Sequence, residues 1–154
     1  MIFQVSLTKN IRKSYQPKLN QVKSYIKHAL VKKFNVVNID IVIVKAKVSR
    51  ELNLKYRERD YPTNVISLED RSTREEFNIL QGELILCDEI IINEAQGLGN
   101  IESHYAHMII HGVLHLQGFD HMQEDEAVYM ENLEAQILND LGFANPYKLG
   151  VGER

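Results

Sequence analysis

At 154 residues and 44% apolar composition, the chain has the size of one compact domain with one core, expected to span residues 1–154. No run approaches the roughly 18 apolar residues that span a bilayer, so no membrane association is expected, and MIFQVSLTKN lacks the basic-then-apolar pattern of a secretory signal. Cys87 is the only cysteine, which excludes an internal disulfide and makes a cytoplasmic location the expectation.

Ile2–Leu7 reads as a short strand. Pro17 suits a helix start, after which Leu19, Val22, Ile26, Ala29 and Leu30 recur at helical spacing. Ile39–Val44 is nearly all apolar and β-branched, as in a strand buried on both faces. Ser49 is placed to cap a short helix through about Arg57, followed by a loop around Asp60-Tyr61-Pro62. Val65–Leu68 and Glu83–Cys87 read as two further strands, and Asp88 is placed to cap a helix that Gly97 and Gly99 stop. The helix from about Ser103 to Gln117 is apolar almost all round, which predicts a central, buried element. A last helix begins near Gln123 with Glu124, Asp125 and Glu126 in its first turn. It turns Met130, Leu133, Ile137 and Leu141 inward, and Gly142 stops it. Four strands with about five helices suggest an α/β layered domain. Periodicity leaves the strand order open.

The net charge of −3 conceals an asymmetry. Residues 1–76 carry 16 Lys/Arg against 8 Asp/Glu, whereas residues 77–154 carry 2 against 13. A basic half of that kind can track phosphates although the whole chain is acidic.

The most informative string is HGVLHLQGFDH, from His111 to His121. Histidines at i and i+4 put two imidazoles on one helix face, one turn apart. Gly118 is placed to end that helix in a left-handed conformation and turn the chain so that His121 becomes the third. Three neutral imidazoles with an open fourth position form the ligand set of a catalytic zinc, so one Zn²⁺ held by His111, His115 and His121 is the expectation. The alternatives are a structural zinc and a chance cluster of core histidines. The same spacing describes the metal helix of metzincin proteases, but their general-base Glu is Gly112 here, which argues against peptide hydrolysis. His107 and His111 form a rival i, i+4 pair without a comparable third ligand. A buried, hydrogen-bonded role suits His107 and His104 better. Asp120 is placed either to orient an imidazole or to bond local backbone. Cys87, closing an apolar strand, reads as a buried structural thiol.

Four blocks, YRERDYPTNVIS, GELILC, HYAHMIIHGVLHLQGFDH and MENLEAQILNDLGFANPY, together resemble the YbeY family of bacterial metal-dependent endoribonucleases. The resemblance runs from about Leu52 to Tyr147, in the family's order. One departure is visible: Leu68-Glu69 follows Ser67 where the family tends to continue Phe-Pro. The resemblance implies a single-strand-specific endoribonuclease acting in 16S rRNA 3′-end maturation and ribosome quality control. It also implies a small four-stranded sheet covered by helices, with a metal cleft beside the central helix, and contact with the small ribosomal subunit and the Era GTPase. It makes Arg57 and His111 the expected catalytic residues. A guanidinium beside a metal pairs with phosphate oxygens and stabilises charge at phosphorus. Arg59 and Lys55 are weaker candidates, and Thr63, Asn64 and Ser67 either donate to phosphate or shape the strand edge. Two other classes stay open: a metal-dependent hydrolase of another substrate, and a non-catalytic ribosome-assembly factor with a structural zinc.

Overall fold

The computed structural model describes residues 1–11 and 15–148. Its sheet has the order β1-β2-β4-β3, built from β1 (Ile2–Lys9), β2 (Val36–Val44), β3 (Val65–Glu69) and β4 (Ile79–Cys87). β1, β2 and β4 are parallel, and β3 runs antiparallel beside β4, with Val65 opposite Leu86 and Ser67 opposite Leu84. Among the described residues six α-helices surround it: α1 (Leu19–Ala29), α2 (Ala46–Arg57), α3 (Arg74–Phe77), α4 (Asp88–Ala95), α5 (Ile101–Leu116) and α6 (Glu124–Asp140). The α/β layering and the four strands match the expectation, and the sixth helix is the short α3, a single turn with no periodic signal to read.

β2 alternates more than its composition suggests. Ile39, Ile41 and Ile43 are buried in the main core, whereas Asp40 is exposed. The second face is apolar only towards the strand's end, where Val42 and Val44 join Ile66 and Ile85 in a smaller cluster with Leu52 of α2. One sheet face is therefore covered throughout and the other only in part.

α2 begins four residues earlier than Ser49 as its cap would set it, with Lys45 in the cap position. Ser49 is not a cap but a buried clasp: its hydroxyl donates to the Thr63 carbonyl and accepts from the Thr63 amide, both at 3.0 Å. Asn53, also buried, donates to the Tyr61 carbonyl at 2.8 Å. These bonds tie the loop after α2 to the helix and set where β3 begins. Asp88 likewise lies inside its helix, with Cys87 as the cap residue. Where Leu68-Glu69 departs from the family pattern, β3 continues through Glu69, whose carboxylate pairs with Arg71 at 2.8 Å and Arg74 at 2.7 Å.

α5 is the centre of the molecule, packed against α1, α4, α6, β3 and β4. Asn100 caps its start by accepting from the Ser103 amide at 2.7 Å. Its last carbonyls meet cations, as a helix C-terminus favours: Lys32 Nζ reaches the Gln117 carbonyl at 2.9 Å, and Arg74 reaches the carbonyls of Leu116 and Gln117. The fully buried Gln117 side chain accepts from the amides of Val31 and Lys32 and donates to the carbonyls of Ala29 and Val113. Gly118 then adopts φ +101°, the left-handed turn that leads to His121. A fixed helix end makes a fixed site.

Candidate metal centre

The helical spacing and the Gly118 turn together bring one nitrogen each from His111, His115 and His121 within 4.8 Å of one another. His111 Nε2 and His115 Nε2 are 3.1 Å apart, close to the edge of about 3.3 Å that a tetrahedron with metal–nitrogen bonds of 2.0–2.1 Å requires. No cysteine or carboxylate joins the trio among the described residues, so the donor set leaves a coordination position open. The cluster could hold a metal ion. His115 is suited to it: burial, then the neighbouring His111 and His121, push its pKa down to about 4. It is therefore a neutral donor across the physiological range.

The trio opens into a cleft of about 540 Å³ that is also lined by Arg57, Arg59, Thr63, Asn64, Val65 and Ser67. The basic and acidic halves of the chain meet there. Arg57 ends α2, and Glu58 stops that helix in the left-handed region at φ 58°. Partial burial, and next the charge of Arg59, lower the Arg57 pKa, but from a value so high that the guanidinium stays cationic. No carboxylate pairs with Arg57 among the described residues, whereas Arg50 is spent on Asp60 at 2.7 Å and Arg59 reaches the Tyr61 hydroxyl at 3.3 Å. Lys55 lies over the Tyr56 ring and is not part of the cleft wall. Asn64 is not a spare donor: its amide nitrogen bonds Glu94 and its oxygen accepts from the Val65 amide. Ser67 donates to the Gly112 carbonyl at 3.2 Å. Both shape the wall.

Gly112 has a second reason to lack a side chain. A Cβ there would stand 2.8 Å from Leu84 Cδ2 and 3.2 Å from Ser67 Oγ, so α5 could not press against the sheet. The position that holds the protease base is occupied here by β3 and β4. Asp120 accepts from the His121 amide at 2.7 Å, while its carboxylate is 3.9 Å from His121 Nδ1, beyond a hydrogen bond. Of the two roles open to it, the structure shows the local one. Cys87 is fully buried and burial raises its thiol pKa, as suits a structural residue.

His104 and His107 are buried behind the cleft. His104 bonds Glu94 at 2.8 Å, and His107 bonds Glu134 at 2.7 Å. Glu134 also accepts from His111 Nδ1 at 2.5 Å, which leaves the His111 Nε2 lone pair facing the cluster. This carboxylate is the residue that sequence reasoning missed. Its signal was present: Glu134 lies within the inward stripe of α6, four residues after Met130, where a charge needs a buried partner.

The family model for endoribonuclease YbeY matches residues 4–142. The endoribonuclease YbeY of Cellvibrio japonicus is 37% identical over 147 residues, covering 94% of this chain and 83% of that protein. The solution structure of TM1509 from Thermotoga maritima superposes with a TM-score of 0.51 at 21% identity, covering 92% of each chain, and shares the fold.

Proposed function

The chain belongs to the YbeY endoribonuclease family and is a metal-dependent hydrolase of that family, and from that premise we propose that it is a single-strand-specific, zinc-dependent endoribonuclease acting in 16S rRNA 3′-end maturation and ribosome quality control. The observation that carries the reading is that Arg57, with no carboxylate partner among the described residues, lines the same cleft as the three-histidine cluster. The small ribosomal subunit and the Era GTPase are the partners the family implies, and the cytoplasm is the matching location. No described helix is long and apolar enough to cross a membrane.

His111, His115 and His121 would hold the metal, and one zinc with three imidazoles matches the donor chemistry. Bound there, such an ion would supply a Lewis acid able to acidify water and polarise a phosphoryl oxygen. Arg57 grips two non-bridging oxygens of the scissile phosphate through its planar fork and stabilises the charge that builds at phosphorus. The Ser49 clasp and the Ser67–Gly112 bond hold the rest of the cleft lining, so the arginine and the histidines keep their spacing before substrate arrives. The Gly112 position weighs against peptide hydrolysis, because no protein carboxylate can occupy it.

The test is cleavage of single-stranded RNA by purified, zinc-loaded protein, with casein as the control substrate. RNA should be cut, chelation should stop the reaction, and casein should survive. Cleaved casein with intact RNA would reverse the assignment.

A further inference from the structure

The block Met130–Tyr147 takes no part in the reaction as described, yet it delivers two polar groups to the histidines behind the cleft. Glu134 is fully buried on α6, beside Met130, Ile137 and Leu138. A carboxylate in such surroundings is costly unless every lone pair finds a donor. Here the donors converge from three directions. His111 Nδ1 meets Oε2 at 2.5 Å, His107 Nε2 meets Oε1 at 2.7 Å, and the Tyr147 hydroxyl donates to the same Oε1.

We propose that Glu134 is the positioning residue of the metal centre, acting through His111, and that Tyr147 holds it in place. By accepting from Nδ1, the carboxylate keeps the His111 proton on that nitrogen and the lone pair on Nε2, which faces His115 Nε2. Its other oxygen is occupied by His107 and Tyr147, so the group stays a hydrogen-bond partner to a ligand. Among the described residues nothing bonds His107 Nδ1, so the ring meets Glu134 and the Tyr147 hydroxyl through Nε2 alone. Neither other member of the trio has such support. No carboxylate pairs with His115 among the described residues, and Asp120 is too far from His121 Nδ1 to fix its ring. Orientation of the cluster therefore depends on one buried acid and on the turn at Pro146–Lys148 that carries Tyr147.

The inference rests on His111, His115 and His121 being the ligand set, and its test separates the two ideas. Zinc affinity is measured by chelator competition for the wild type, Glu134→Met, Glu134→Gln, Tyr147→Phe and His115→Ala, with thermal unfolding on each. The His111 tautomer is read in the metal-free proteins by ¹⁵N–¹H imidazole correlation. Glu134→Met should stay folded, lose about 10–100-fold in affinity and release the tautomer. Glu134→Gln, whose amide oxygen still accepts one N–H, should recover part of the loss, and Tyr147→Phe should weaken zinc several-fold. A folded Glu134→Met with wild-type affinity and an unmoved tautomer would overturn the inference. Should that variant not fold, an Nε2–H tautomer of His111 in the wild type, or wild-type affinity in Tyr147→Phe, overturns it instead. Undiminished zinc binding by His115→Ala would sink the ligand set itself.

Discussion

Four histidines stand on one face of α5, and its two ends use them differently. Towards the N-terminus His104 and His107 are buried, and each is paired with a carboxylate from another helix, Glu94 of α4 and Glu134 of α6. Towards the C-terminus His115 has no carboxylate partner among the described residues, borders the cleft, and joins His121 beyond the Gly118 turn. His111 belongs to both ends, with Nδ1 towards Glu134 and Nε2 towards the cluster. The residue type is the same at both ends and the spacing nearly so, three residues from His104 to His107 and four from His111 to His115. What divides packing from ligation is the occupant of the second ring nitrogen and whether the first faces open space.

The sharpest way to break that comparison is to delete one histidine from each end. His115→Ala should abolish stoichiometric zinc binding, checked by elemental analysis, and RNA cleavage should vanish with it. His104→Ala should leave the metal in place and lower only the unfolding temperature, because it leaves a cavity behind the cleft and takes one of its donors from Glu94, which keeps the Asn64 amide. Equal zinc content in His115→Ala and wild type would erase the distinction. Next in size is the rest of the cleft lining. Arg57→Ala should keep zinc and fold while single-turnover RNA cleavage drops by about 10²–10³. Arg57→Lys should recover little, since an ammonium keeps the charge but loses the fork. Wild-type rates in Arg57→Ala would remove it from the site.

A smaller effect probes why α5 sits where it does. Gly→Ala inside a helix ordinarily stabilises by about 0.5–1 kcal/mol. At Gly112 the added methyl would lie 2.8 Å from the fully buried Leu84 side chain, so Gly112→Ala should instead destabilise by about 1–2 kcal/mol in urea unfolding. A more stable variant would show that the close approach does not constrain the residue.

The legible features were those encoded locally. The i, i+4, i+10 histidines, the left-handed Gly118 and the all-round apolar α5 are statements about neighbours along the chain, and the structure repeats them. The illegible ones depend on which surfaces meet. Ser49 has the residue type of a cap and is used as a clasp, because Thr63 is brought against it. Asp88 reads as a cap and lies one residue inside α4, buried and accepting from the Tyr105 hydroxyl. Glu134 reads as one acid on an acidic helix until α6 is laid on α5, when donors 23, 27 and 13 residues away close on it. Strand order is of the same kind, because β4 lies between β2 and β3 although it follows both in the chain.

The smallest expected effect concerns His115 in the metal-free protein, and it tests the C-terminal end of the comparison by sign. Its pKa is lowered from 6.5 to about 4, first by burial, then by His111 and His121, with Arg57 adding slightly and Asp120 opposing. A base whose pKa is depressed on folding binds its proton later than the unfolded chain does. Stability should therefore decline as pH falls from about 6.5 to about 4 and stop responding to this group below that. Glu134 acts in a lower window: its contribution is complete above about 4.5 and is lost as pH falls through about 2. In an NMR titration Arg57→Ala should move the His115 midpoint up and Asp120→Asn should move it down, each by a fraction of a unit, as expected of single charges partly screened by water. Opposite signs in the two variants would place both charges within reach of the ring. If neither variant moved the midpoint, burial alone would set the value, and Arg57 would stand too far from His115 to share a phosphate with the cluster.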